Sequence, residues 1–124
     1  MPHQNIVIIE DDTDLRETMK ELLEMEGFSV ITAANGREGL NLIERDGRPC
    51  LILLDLMMPV MNGWEFLDAI QRNRQDLLAQ TKVAVVSAAA DMAEVQQQYG
   101  CSVLKKPVSV ARLFALAHAA CDGC

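Results

Sequence analysis

The sequence predicts an α/β fold built on a parallel sheet, and two features of the chain predict it. Apolar runs of strand length alternate with segments of helical period throughout the 124 residues. Such alternation is typical of parallel strands joined by right-handed crossovers, with helices covering both faces of the sheet. The second feature is the run LILL over 51–54, which contains no polar residue. A run of this kind suits a central strand buried on both faces.

The first strand-helix unit has distinct boundaries. The apolar run 6–9 predicts a strand that leads directly into the acidic residues 10–12. Asp12 or Thr13 is suited to cap the following helix, and Gly27 marks its expected end. One face of this helix carries Leu15, Met19, Leu22, Leu23 and Glu26, which are apolar except for the last.

The next two units repeat the pattern. Strands are predicted over 28–33 and 51–54, and each precedes a helix that begins at an Asn-Gly pair. The first of these helices is expected to end near Asp46 and Gly47. The inward-facing residues are Gly39, Leu40 and Ile43 after Asn35-Gly36, and Phe66, Leu67 and Ile70 after Asn62-Gly63.

The last two units complete the fold prediction. The strand over 83–86 precedes a fourth helix over about 91–99, whose amphipathic pattern is the weakest of the five. The strand over 102–104 precedes a fifth helix with Val110, Leu113, Phe114 and Ala117 at helical spacing. Five such units favour a flavodoxin-like doubly wound (βα)5 sheet with strand order 2-1-3-4-5, since a (βα)8 barrel needs about twice the chain. We expect one domain over residues 1–124.

Composition excludes several classes of function. The formal charge of −7 comes without a basic patch, which argues against direct nucleic-acid binding. No apolar stretch approaches the ~20 residues that span a bilayer. The N-terminus Met1-Pro2-His3-Gln4 has no signal-peptide pattern, so a cytoplasmic protein is expected.

The four cysteines carry no clear function in the sequence. Cys50 and Cys101 lie at the starts of predicted strands and are interpreted as small core residues. Cys121 and Cys124 form a C-x-x-C pair at the C-terminus. A redox or zinc role for this pair is the less favoured interpretation, because a thioredoxin-like motif lies between a strand and a helix and a zinc site needs two further ligands.

Polar residues follow four of the predicted strands. They are Glu10 and Asp11 after the first strand, Asp55 after the third, Ser87 after the fourth, and Lys105 and Lys106 after the fifth. These strands are neighbours in the predicted order, so the side chains should converge at one edge of the sheet. Carboxylates this close repel by ~4 kcal/mol per pair at an effective dielectric of 20, and Mg²⁺ relieves the repulsion. A carboxylate here is also a possible nucleophile toward phosphorus.

Four motifs in this order resemble those of bacterial two-component receiver domains. They are Glu10-Asp11, Asp55 with Met58-Pro59 and Asn62-Gly63, Ser87-Ala88, and Lys106-Pro107. The resemblance implies that Asp55 accepts phosphate from a phosphohistidine. It also implies that Asp11, Asp55 and the carbonyl of Met57 bind Mg²⁺ (or Mn²⁺), with Glu10 acting through water. Lys106 and Ser87 would contact the phosphoryl group, and the bond before Pro107 would be cis.

By the same resemblance the protein is a signalling module and not an enzyme. Its expected partners are a sensor histidine kinase or phosphotransfer protein and an unknown downstream protein, without nucleic acid or membrane, and the expected state is a monomer or weak dimer. Phosphorylation would change the affinity of the output surface, formed by the fourth predicted helix, the fifth strand and the fifth predicted helix. Val103 stands where receivers often carry an aromatic switch residue, so the signal is expected to leave through Ser87 and the loop after it.

Other residues have simpler interpretations. Asp12 is expected to be a helix cap, Lys105 to face solvent or a partner, and His3 and His118 to lie on the surface. Two alternative functions remain: a metal-dependent phosphohydrolase with an Asp nucleophile, and an interaction module that works without phosphorylation.

Overall fold

The computed structural model describes residues 5–46, 49–56, 60–73, 75–76, 81–88 and 101–121. Within these residues the strands are β1 (Asn5–Ile9), β2 (Ser29–Ala33), β3 (Leu51–Asp55), β4 (Lys82–Ser87) and β5 (Ser102–Lys105). The helices are α1 (Thr13–Met25), α2 (Gly36–Asp46), α3 (Gly63–Asn73) and α4 (Val110–Cys121). The C-terminal helix α4 corresponds to the fifth predicted helix. The fourth predicted helix, 91–99, lies outside the described residues.

The sheet has the predicted topology. All five strands are parallel and lie in the order β2-β1-β3-β4-β5. The strand β3 extends one residue further than predicted, so Asp55 is its last residue and pairs in register with Val86 of β4. Ser87, the last residue of β4, is in register with Lys105 of β5. The carboxyl ends of β1, β3, β4 and β5 therefore lie side by side, as the fold requires for a site at this edge.

The core lies on both faces of the sheet. Because successive strand residues point to opposite faces, Ile52 and Leu54 join one cluster and Leu51 and Leu53 join the other. The first cluster is closed by α2 and α3, with Ile43, Phe66, Leu67 and Ile70. The second is closed by α1 and α4, with Met19, Leu23, Leu113 and Ala117. The apolar residues of β3 are at most 1% exposed, which confirms the doubly buried strand expected from its sequence.

The boundaries of α1 follow from two local interactions. Asp12 is the N-cap, and its side chain accepts a hydrogen bond from the backbone N–H of Leu15 at 3.2 Å. Gly27 follows the helix with φ of 99°, a left-handed conformation that a side chain would strain. Both capping predictions are confirmed.

Two predictions about packing are wrong. Val110, which the helical spacing groups with Leu113, Phe114 and Ala117, does not share the buried face and is 44% exposed. It is the first residue of α4, directly after the capping residue Ser109, whose Oγ accepts from the N–H of Arg112. Cys50 was interpreted as a small core residue, but it forms a disulfide with Cys121. Cys101 is buried and in no disulfide, as predicted.

Among the described residues, none of the four helices is both long and apolar enough to span a bilayer.

Candidate functional site

Three carboxylates converge at the carboxyl end of the sheet. Glu10 and Asp11 follow β1, and Asp55 ends the neighbouring strand β3. One oxygen from each of the three carboxylates lies within 4.8 Å of the other two. Glu10 and Asp55 are buried, at 1% and 4% exposure, whereas Asp11 is exposed. The convergence predicted from the strand ends is therefore present, and we call these three residues together with Lys106 the acidic site.

A cavity of about 510 Å³ opens above the acidic site. Ser87 and Ala88 complete its lining at the end of β4, together with the capping residue Asp12. Ser87 is buried at 3% exposure, whereas Lys105 is exposed and does not line the cavity, as predicted. Met57, the third ligand implied by the resemblance, lies outside the described residues, as do Met58 and Pro59.

Lys106 supplies a positive charge to the carboxylates. Its Nζ lies 3.5 Å from Oε1 of Glu10 and 3.6 Å from Oδ1 of Asp55. Its backbone N–H donates to the carbonyl of Ser87 at 3.0 Å, which joins the end of β5 to the end of β4. The peptide bond between Lys106 and Pro107 is cis, as predicted.

The hydrogen-bond donors of the acidic site do not satisfy all of its buried carboxylate oxygens. Oε2 of Glu10 accepts a hydrogen bond from the backbone N–H of Asp12 at 3.1 Å, but the buried Oε1 accepts none. Burial, followed by the interaction with the Asp55 side chain, raises the pKa of Glu10 from 4.5 to about 7. The Asp12 N–H and Lys106 oppose this shift without cancelling it. A buried carboxylate oxygen that has an ammonium nearby but no hydrogen bond, beside two further carboxylates, is the chemistry that a hard divalent cation satisfies.

Helix α3 approaches the end of β3 closely because residue 63 is glycine. A Cβ at Gly63 would lie 2.6 Å from the carbonyl oxygen of Asp55 and 2.7 Å from Cα of Leu56. The N–H of Gly63 donates to the carbonyl of Leu56 at 3.0 Å. Asn62 and Glu65 cap the helix start reciprocally, each side chain accepting from the other's backbone N–H. The Asn-Gly pair noted in the sequence thus holds the start of α3 against the end of β3.

Arg16 is a contributor to the site that the sequence analysis did not identify. Its Nη1 donates to the backbone carbonyl of Glu10 at 2.8 Å, so the guanidinium holds the turn that carries Glu10 and Asp11. The sequence contains an indication of this role, because the first turn of a helix favours acidic residues and a basic residue near it is unusual.

This fold and this site together define a receiver-type α/β domain, with an acidic cavity and a lysine at the carboxyl ends of a 2-1-3-4-5 sheet. Over residues 6–118 the chain matches the family model described as response regulator receiver domain. The chain therefore belongs to the response regulator receiver domain family, whose members are signalling modules of two-component systems.

Curated relatives match part of this chain. The transcriptional regulatory protein CpxR of Escherichia coli K12 is 46% identical over 70 residues, which are 56% of this chain and 29% of CpxR. The probable C4-dicarboxylate response regulator DctR of Priestia megaterium is 36% identical over 113 residues, which are 87% of this chain and 47% of DctR. The chain spans less than half the length of these two relatives.

Solved structures share the fold over nearly the whole chain. A CheY-like response regulator receiver domain protein from Methanospirillum hungatei has a TM-score of 0.83 and 29% identity, covering 98% of this chain and 95% of that one. The chemotaxis protein CheY4 of Vibrio cholerae has a TM-score of 0.82 and 24% identity, covering 96% and 99%. The second likeness shows the fold alone.

Proposed function

We propose that this protein is a phosphoacceptor of a two-component phosphorelay and that Asp55 accepts the phosphoryl group from a phosphohistidine. One observation carries the proposal: the Asp55 carboxylate lies at the floor of an acidic cavity, 3.6 Å from the ammonium of Lys106. The donor would be a sensor histidine kinase or a phosphotransfer protein. Membership of the receiver family and the likeness to two regulators, CpxR and DctR, support this choice of partner.

The residues present fit a divalent cation. Glu10, Asp11 and Asp55 offer oxygens within 4.8 Å of one another, and Oε1 of Glu10 is buried without a hydrogen-bond partner. An all-oxygen set with few carboxylates suits Mg²⁺, with Mn²⁺ as the alternative. We assign Asp11 and Asp55 as direct ligands together with the carbonyl of Met57, and Glu10 as a ligand through water. When bound, the cation would offset the charge that a phosphoryl group brings to the site.

The chemical step is a displacement at phosphorus. An oxygen of Asp55 attacks the phosphoryl group of the phosphohistidine, a P–O bond forms, the P–N bond breaks, and the imidazole leaves with its electron pair. Lys106 pairs with a phosphoryl oxygen, and the hydroxyl of Ser87 donates to another. The protein assists its own phosphorylation and dephosphorylation and is not an enzyme acting on a separate substrate.

The output is a change in affinity for another protein. Because Val103 has no ring to rotate, we assign the response to Ser87 and the segment after it, and then to the output surface. Residues 89–100, which carry the fourth predicted helix, lie outside the described residues, so this part of the proposal depends on Ser87 and Lys106 alone. The hydrogen bond from the Lys106 N–H to the Ser87 carbonyl connects them directly.

Phosphorylation of the full chain by acetyl phosphate and Mg²⁺ tests the proposal. We expect intact-mass measurement to show the gain of one phosphoryl group, and Asp55→Asn to abolish it. Asp12→Asn is the matched control, because Asp12 lines the same cavity but caps α1, and Asn caps helices equally well. That variant should be labelled like the wild type.

Three outcomes would contradict the proposal. Labelling that persists in Asp55→Asn would move the phosphorylation site elsewhere. Absence of labelling in the wild type with Mg²⁺ would favour the interaction module that works without phosphorylation. Steady turnover of a small phosphoester would favour the phosphohydrolase.

A further inference from the structure

A covalent bond joins two parts of the chain far from the acidic site. Cys50 and Cys121 are 71 residues apart in sequence, and the disulfide brings their Cα atoms to 5.2 Å. Cys50 immediately precedes β3, whereas Asp55 ends this strand, so the two lie about 17 Å apart along it at 3.3 Å per residue. The disulfide therefore belongs to the opposite end of the sheet from the acidic site.

The disulfide attaches a helix end to a fixed point of the sheet. The N–H of Cys50 donates to the carbonyl of Asn5 at 2.9 Å, and its carbonyl accepts from the N–H of Lys82 at 3.2 Å. The start of β3 is thus hydrogen-bonded to both neighbouring strands. Cys121 is the last residue of the C-terminal helix. The bond holds the end of this helix, where helices otherwise fray.

We propose that Cys50 and Cys121 are a redox modification site, at which a reversible disulfide forms by exchange with a low-molecular-weight disulfide of the glutathione class. One protein thiolate attacks the small disulfide, forms a mixed disulfide and releases one small thiol. The second protein thiolate then attacks the protein sulfur of the mixed disulfide and releases the second small thiol. Two protein thiols are oxidised, and the two electrons and two protons reduce the small disulfide to two thiols.

Three observations support reversible exchange at this pair. Cys50 is half-buried, whereas Cys121 is buried at 7% exposure, so a small thiol has better access to Cys50. Cys121 is the last residue of its helix, where local opening costs least. The pair is also distinguished from Cys101, where burial raises the pKa of the thiol to about 11 and leaves little of the reactive thiolate.

The reduced protein should keep its fold but loosen one element. Leu113 and Ala117 stay buried against the sheet without the disulfide, and His118 Nε2 lies 2.9 Å from Oε2 of Glu26 on α1. The last turn of the C-terminal helix is then held by these contacts, by the ring contact of His118 with Phe28, and by the packing of Leu116 and Ala120. This helix also forms one wall of a groove of about 390 Å³ against β5, with Leu116 and Ala119 facing Ser102 and Leu104. Oxidation would therefore restrain the surface formed by this helix and β5.

Thiol trapping of the full chain in glutathione buffers tests the proposal. Samples are quenched with acid and alkylated in denaturant, so that the buried Cys101 reacts as well; from reducing buffer we expect all four cysteines to be alkylated, and from oxidising buffer only Cys101 and Cys124. The change should reverse when the buffer is exchanged. Peptide mapping without reduction should link the peptide of Cys50 to the peptide that begins after Arg112. Because that peptide contains both Cys121 and Cys124, the mapping is repeated with Cys124→Ser, which should keep the link.

Matched variants and hydrogen exchange complete the test. Cys50→Ser should lose the link and Cys101→Ser should keep it. In the wild type, reduction should speed amide exchange over 117–121 by roughly tenfold or more, with no such change in Cys50→Ser. Four alkylated thiols in every buffer, a link confined to Cys121 and Cys124, or a disulfide that resists the reducing buffer would each overturn the proposal. Because the wild type itself is measured in both states, a variant that fails to fold leaves the test intact.

Discussion

The two ends of β3 differ in what holds them in place. At its start, Cys50 is fixed by two backbone hydrogen bonds and a disulfide. At its end, Asp55 is buried beside Glu10, and one buried oxygen of Glu10 has no hydrogen-bond partner. Residues 51–54 between them are apolar and fully buried, so no charged group connects the two ends. The Cys50 end of the strand thus stabilises the fold. The Asp55 end brings carboxylates together at a cost in free energy, which a bound cation would reduce.

The largest expected effect comes from reducing the disulfide at the start of β3. Reduction of the Cys50–Cys121 disulfide should lower the free energy of unfolding by about 4 kcal/mol, because the bond closes a loop of 71 residues in the unfolded chain. Urea denaturation with and without a reductant measures the difference. Cys50→Ser should show no response to the reductant, while Cys101→Ser should respond like the wild type. An equal response of Cys50→Ser would show that another bond carries the effect.

The next effect comes from filling the space beside Asp55. Gly63→Ala should destabilise the fold by about 2 kcal/mol, because its Cβ would meet backbone atoms of Asp55 and Leu56 that have no room to move. It should also slow phosphorylation, which labelling by acetyl phosphate measures. Gly27→Ala is the control: nothing lies within 4 Å of its Cβ, and only its positive φ is strained. It should lose stability without loss of labelling rate; equal labelling rates in the two variants would show that the contact at Asp55 is not needed.

The pH dependence of stability tests the electrostatic cost of the acidic site directly. With a folded pKa of about 7 against 4.5, Glu10 keeps a proton in the folded protein that the unfolded chain has released. Its contribution to stability is complete below about pH 4.5 and is lost as the pH rises to 7. Without metal, the free energy of unfolding should therefore fall over this window, by an amount on the order of 3 kcal/mol.

Two measurements sharpen this prediction. Glu10→Gln should remove the fall, and Mg²⁺ should stabilise the wild type most at the upper end of the window. Asp11→Asn should raise the stability of the metal-free protein by about 1 kcal/mol through relief of like charge, and should weaken Mg²⁺ binding. An Asp11→Asn protein that is less stable in EDTA and gains as much from Mg²⁺ as the wild type would contradict the assignment of Asp11.

The smallest effect concerns the loop after Asp55. Val60 has φ of 68° and is 70% exposed, an unusual state for a β-branched residue. Val60→Gly should raise stability by roughly 0.5 kcal/mol, since relief of the strain exceeds the added freedom of the unfolded chain. Thermal unfolding measures it, and Val110→Gly, at an exposed helical valine, should lower stability instead. Destabilisation by Val60→Gly would show that the backbone there is not strained.

The sequence predicted those features that depend on local pattern. The strands follow from runs of apolar residues, and the convergence of Glu10, Asp11, Asp55, Ser87 and Lys106 follows from strand ends meeting at one edge. Asp12 and Gly27 were found because caps depend on one or two residues. The chemical roles of the site residues stay predictions until phosphorylation is measured.

The features that the sequence did not predict depend on contacts between distant segments or on backbone geometry. Nothing near Cys50 indicates that the end of a helix 71 residues later returns to it. Arg16 acts through a backbone carbonyl, which leaves no pattern in side chains. The exposure of Val110 depends on where α4 begins relative to the sheet, which helical spacing alone does not give.

The hydrogen bond between the Lys106 N–H and the Ser87 carbonyl has a consequence for folding. Lys106 reaches Asp55 only when β5 has joined the sheet beside β4, and Asp11 and Lys106 lie near opposite ends of the chain. A partly folded protein that lacked the last strand would hold its carboxylates without their counter-charge. Under the function proposed above, such a protein would lack the ammonium that pairs with the phosphoryl group, so it would accept phosphate poorly.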